Sequence, residues 1–176
     1  MRGQDYYMQI LKYFMLLLIF ISSSLIGKYI SKKYTYRLEE LEEIRNILNV
    51  FKSKIRFTYE PIPEIFKEIA SQAKANIGEI FEEARKNMKV LSAGEAWEKA
   101  VQASETNLTI EDKNVLFMLS KMLGQTDVEG QISQIEVTEE FLEKQIKEAE
   151  EEKNKNEKLY SRLGTTIGLA IVIILI

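Results

Sequence analysis

Residues 41–55 read LEEIRNILNVFKSKI, and the apolar side chains Leu41, Ile44, Leu48, Phe51 and Ile55 recur every three or four positions. That spacing stacks them on one face of an α-helix, whereas a strand would need strict alternation. The stretch is therefore read as an amphipathic helix that continues to about Tyr59, where Pro61 and Pro63 end it, since proline lacks the N–H an interior turn needs. Composition supports the same class. The chain of 176 residues holds only 2 prolines and 8 glycines, and the prevalence of Leu, Ile, Glu and Lys favours helices over strands.

Working outward from this helix, each following segment carries its own start signal. Pro63 opens the next one as its first residue, with Ile65, Phe66, Ile69, Ala70 and Ala73 as the inward stripe, and Asn76 with Gly78 punctuates the chain. A third helix presents Ile77, Ile80, Phe81, Ala84 and Met88. Ser92 and Glu95 have the spacing of a capping box for a fourth, which carries Ala96, Trp97, Ala100 and Val101. Thr109 offers another N-cap, followed by the acidic Glu111 and Asp112, and the helix it starts (Val115, Leu116, Leu119, Met122, Leu123) stops at Gly124. From Asp127 onward Val128, Ile132, Ile135, Leu142, Ile146 and Ala149 follow a 4-3 spacing in which Glu139 takes one place. Glu140 with Lys144, Glu143 with Lys147 and Glu151 with Lys155 have the spacing for i,i+4 pairs, so this helix is expected to run unbroken to Lys158 and on into the tail.

The two ends of the chain differ from the middle. Residues 10–26, ILKYFMLLLIFISSSLI, suffice to cross a hydrocarbon core of about 30 Å if Lys12 snorkels. A cleaved signal peptide is the alternative, with Arg2 as its basic start, but Asp5 and the basic cluster just downstream oppose it. Residues 164–176, GTTIGLAIVIILI, carry no charge and are short for a span; Leu159, Tyr160 and Leu163 extend the apolar face and Arg162 can snorkel. The expected domains are 1–27 (membrane segment), 28–158 (helical bundle) and 159–176 (second, short membrane segment). The net charge of −3 conceals an acidic middle between two basic flanks. Lys28, Lys32, Lys33 and Arg37 follow the first apolar segment, and Lys153, Lys155, Lys158 and Arg162 precede the second, which orients the middle to the cytoplasm under the positive-inside rule.

The chain has no cysteine and no histidine, which removes thiolate chemistry, disulfides, His-based catalysis and the commonest transition-metal ligands. Gly27-Lys28 lacks the spacing of a phosphate loop, and the acidic middle offers nucleic acid no footprint. No enzyme, cofactor, metal or small-molecule substrate is expected. What remains is surface. Leu123, Gly124, Asp127, Gly130 and Gln131 gather at one corner, where a helix-interior glycine such as Gly130 costs about 1 kcal/mol relative to Ala. Close helix approach is the plainer account of this corner, and a partner-docking surface the sharper one.

Several of these stretches resemble the stage III sporulation protein AB family of endospore-forming bacteria: LFMLSKMLGQTDVEGQISQIEV (Leu116 to Val137), the turn with Tyr59, Pro61, Pro63 and Glu64, the Trp97 helix, and Lys158, Tyr160, Arg162, Leu163 and Gly164 before the apolar tail. The most specific part is Leu123, Gly124, Asp127 and Gln131. That family is similar to the cytoplasmic domains of the platform proteins of type II secretion and type IV pilus machines. The resemblance implies an all-α, antiparallel six-helix bundle set between an N-terminal and a short C-terminal transmembrane helix. It further implies a scaffold of the channel from mother cell to forespore, in the mother-cell membrane around the forespore, with other stage III sporulation channel proteins and a secretion-type ATPase as partners. A membrane-linked signalling relay that self-associates through Leu142 and Ile146 is the alternative reading of the long last helix.

Overall fold

The computed structural model describes the backbone of residues 2–58 and 60–175 and the side chains within those ranges from residue 7 onward. The expectations placed on the side chains of Arg2 and Asp5, and those on Tyr59 and Ile176, lie outside what it describes. Among the described residues six α-helices follow one another: α1 (Arg2–Phe57), α2 (Ile62–Gln72), α3 (Ala75–Asn87), α4 (Ala93–Ala103), α5 (Ile110–Phe117) and α6 (Val128–Leu175), with a short 3-10 turn over Met118–Lys121 after α5. No strand occurs among the described residues. Two contact units result. Unit 1 comprises Met1–Thr35 and Glu151–Ile176, and unit 2 comprises Tyr36–Glu150.

Unit 2 is the helical bundle. The stripe that opened the sequence reading is its spine, for Leu41, Ile44, Leu48 and Phe51 are at most 1% exposed. Phe66 sits at the centre of an aromatic cluster, with ring centroids 5.3 Å from Phe51, 5.1 Å from Phe81 and 5.7 Å from Trp97. Edge-on packing of this kind adds to the area term because ring edges are positive and ring faces negative. Trp97 spends its single polar atom well: Nε1 donates to the Leu116 carbonyl at 2.8 Å, so the buried indole leaves no unmade hydrogen bond. The expected capping box forms at Ser92 with Glu95, and the expected N-cap at Thr109 proves to be a capping box too, closed by Asp112. Helix α3 has no side-chain cap of its own, and the Glu43 carboxylate of α1 accepts the Lys74 N–H at its start instead.

Local expectations need correction where long-range contacts decide. Helix α2 begins at Ile62 with Pro61 as its N-cap, so Pro63 is the second helical residue. Gly78 does not interrupt the chain; it lies inside α3, where a Cβ would come within 2.8 Å of the Ala70 carbonyl oxygen. Helix α5 closes at Phe117 and tightens into the 3-10 turn, since Gly124 is reached only after Leu119 and Leu123 have turned into the core. In the α6 seam the inward position is Thr138, fully buried with Oγ1 donating to the Gln134 carbonyl at 2.8 Å, while Glu139 turns aside to Lys52 of α1. The expected i,i+4 pairs of α6 are absent among the described ion pairs; Glu143 bonds Arg45 of α1 at 2.8 Å instead. Leu142 and Ile146 belong to the intramolecular core, so the seam read as a self-association surface is occupied within one chain.

A further correction concerns Arg37, counted above with the basic flank. It is buried, with Nε and Nη2 donating to the two carboxylate oxygens of Asp112 at 2.8 and 2.9 Å. Asp112, itself fully buried, also accepts the Thr109 N–H at 2.8 Å, so one carboxylate closes a helix cap and ties α5 to α1. Glu40, one turn further along α1, accepts from the backbone N–H and side-chain amide of Asn107 at 2.7 and 2.8 Å, which fastens the α4–α5 loop.

Candidate functional site

The corner singled out in the sequence is brought together, and each residue has a visible task. Gly124 takes φ = +73°, the left-handed conformation that costs an L-residue strain. A Cβ there would also meet the Ala93 Cβ at 3.1 Å and Ile62 Cδ1 at 3.6 Å, so the turn is seated against the first residues of α2 and α4. Asp127 caps α6 by accepting the Gly130 N–H at 2.9 Å. Gly130 is needed at that place because a Cβ would lie 2.9 Å from Thr126 Oγ1 and 3.0 Å from the capping oxygen. Gln131 reaches back and donates to the Thr126 carbonyl at 3.1 Å. Leu123 is buried in the core beneath. The residues left facing outward are Gly124, Gln125, Asp127 and Glu129.

Nearby electrostatics belong to capping and surface pairs. The Ser92 hydroxyl, then its backbone N–H, hold the Glu95 carboxyl below the usual carboxylate range, and Arg85 does the same to Glu82. Among the described residues no group of three or more Asp or Glu side chains is arranged to hold a metal ion.

Unit 1 is built on a different principle. Helices α1 and α6 are each long and apolar enough to cross a bilayer. Their segments meet where they have no side chains: a Cβ on Gly27 would lie 2.8 Å from the Gly164 Cα and 2.7 Å from the Tyr160 carbonyl oxygen. A Cβ on Gly168 would lie 3.1 Å from the Ser23 Cβ and 3.3 Å from Phe20 Cδ2, a looser approach, and Ser23 Oγ donates to the Gly164 carbonyl at 2.8 Å. The sequence reading missed this contact, although Gly164 and Gly168 have the small-x-x-x-small spacing that lets helices approach in lipid, as do Ser23 and Gly27. Tyr34 and Tyr160 stack in the same unit with centroids 5.9 Å apart. Beside the contact runs an apolar groove of about 650 Å³.

Comparison with known proteins bears on both units. The family model described as stage III sporulation protein AB matches residues 12–176. The stage III sporulation protein AB of Bacillus subtilis (strain 168) is 25% identical over 161 residues, covering 89% of this chain and 94% of that protein. A solved structure of a stage III sporulation protein AB superposes with a TM-score of 0.63 at 21% identity, over 67% of this chain and 96% of that one, which shows a shared fold.

Proposed function

The chain belongs to the stage III sporulation protein AB family, and on that premise we propose that it is a non-enzymatic membrane scaffold of the mother cell to forespore channel, holding an acidic helical bundle where partners dock. The observation that carries this reading is the family match across residues 12–176, which spans both apolar segments and the bundle together. The two apolar helices supply the attachment. The basic residues beside them orient the bundle to the cytoplasm of the mother cell. The outward residues of the Gly124 corner are the face we assign to a secretion-type ATPase, because the hydrogen bonds that hold this turn leave Gln125 and Glu129 directed to solvent.

Deletion of the gene is expected to block sporulation after engulfment, and normal spores in the deletion strain would sink the proposal. For the docking face, Gln125→Arg with Glu129→Arg should abolish capture of the ATPase while Trp97 emission stays native. Undiminished capture would remove the corner from the interface. Topology is tested by single cysteines in this cysteine-free chain. Ser104→Cys should resist an impermeant reagent in intact cells and a cysteine appended at the C-terminus should react; the reverse pattern would overturn the orientation.

A further inference from the structure

The glycine contact sets the register of the two segments of unit 1, and with it the height of every charge beside them. Counting from Gly27 against Gly164 at 1.5 Å per residue, Lys28 and Arg162 lie within about 3 Å of that level, and Lys32, Lys33 and Lys158 within about 9 Å. Two basic flanks that are far apart in sequence thus form one girdle around the antiparallel pair. All five cations are exposed, and none is in an ion pair among the described residues. Glu157 is the carboxylate at the same height.

The groove beside the contact leads toward this girdle. Its walls include Met15, Leu18, Ile26, Leu163, Ile167 and Ile171. From Met15 to Ile30, which also lines it, the groove follows α1 for about 22 Å, and Lys33 is the next residue on that face. Tyr160, held by its stack on Tyr34, lines the groove near the same end.

We infer that this is a binding site for an anionic phospholipid, with an acyl chain in the groove and the headgroup phosphate on the girdle. The inference rests on the membrane reading above. Charge complementarity selects the occupant: apolar walls suit an acyl chain, while a cationic mouth attracts a net negative headgroup and gains less from a zwitterion, which brings its own cation.

The full chain is reconstituted into vesicles that mix phosphatidylglycerol with phosphatidylcholine, extracted in mild detergent and weighed by native mass spectrometry with its retained lipid. Phosphatidylglycerol should be enriched. Lys28→Gln, Lys32→Gln and Lys33→Gln together should lower its retention about tenfold or more, whereas the same change at Lys89, Lys99 and Lys121 of unit 2 should not. Ser22→Trp, which fills the groove and leaves the charge alone, should lower retention too. Equal retention of the two lipids, retention indifferent to the girdle or groove substitutions, or a second copy of the chain bound in place of lipid overturns the inference. A chain that floats with neither pure phosphatidylcholine nor mixed vesicles overturns the membrane reading and this inference with it.

Discussion

The two ends of α1 are parts of one helix, yet they are packed by opposite rules. In unit 2 the helix turns large side chains inward, and Leu41, Leu48 and Phe51 are at most 1% exposed. In unit 1 the same helix turns Leu11, Leu25 and Ile26 outward at 58–60% exposure and meets α6 through Gly27. Water drives the first arrangement, because removing apolar area from it is favourable. The second is the one expected where lipid replaces water: burying leucine in protein then gains nothing over leaving it in acyl chains, and close backbone approach with a serine bond across the helices holds the pair. Polar groups divide likewise. Unit 2 encloses a fully paired arginine and aspartate, while Lys28, Lys32, Lys33, Lys158 and Arg162 of unit 1 are exposed.

The comparison is most easily broken at Arg37. Arg37→Ala leaves the Asp112 carboxylate buried with its main partner gone, and unit 2 should lose about 3–5 kcal/mol. Urea unfolding of the full chain in mild detergent, followed by the emission of Trp97, measures this directly, since the chain has a single tryptophan and it lies in unit 2. Insertion into membranes should be unchanged.

The converse change is Gly27→Leu, which drives a side chain into the backbone of α6. Ser23→Cys with Gly168→Cys reports on it, because a Cβ on Gly168 lies 3.1 Å from that of Ser23 and the protein has no other thiol. The disulfide should form readily in the parent and several-fold less in the leucine variant, with the Trp97 unfolding midpoint unmoved. A shift of that midpoint as large as the one from Arg37→Ala would erase the contrast between the units.

The smallest effect sharpens the description of unit 2. Ser92→Ala removes the N-cap of α4 and should cost about 1 kcal/mol. It also changes the response to acid. The folded-state value of Glu95 is lowered, by the Ser92 hydroxyl first and its backbone N–H second. Its contribution is therefore complete above the usual carboxylate range and is lost as the pH falls through the lowered value. Unfolding curves of parent and variant should accordingly converge toward low pH and separate at neutral pH.

Much of unit 2 was legible from local signals. The Ser92 and Thr109 caps and the inward faces of Ile65, Phe66, Ile69 and of Ala96, Trp97, Ala100 all depend on residues within a turn or two of one another. The corner at Gly124, Asp127, Gly130 and Gln131 was legible as a cluster, whereas its division into cap, turn and brace was not. The pairings of Arg37 with Asp112 and Glu40 with Asn107 were out of reach, being 75 and 67 residues apart. The choice of Thr138 over Glu139 was equally hidden, because a heptad count does not say how far a helix rotates against its neighbour.

The sequence by itself determined the helical class, the capped starts of α4 and α5, the apolar ends and the family, because periodicity, caps and composition act over a few residues and need no partner. Tertiary structure alone decided which charges are buried, and that two glycines distant in sequence bring two basic flanks to one level. The first depends on which residues of α5 and of the α4–α5 loop come to face α1, the second on the register between α1 and α6, which is set by how closely two backbones can approach.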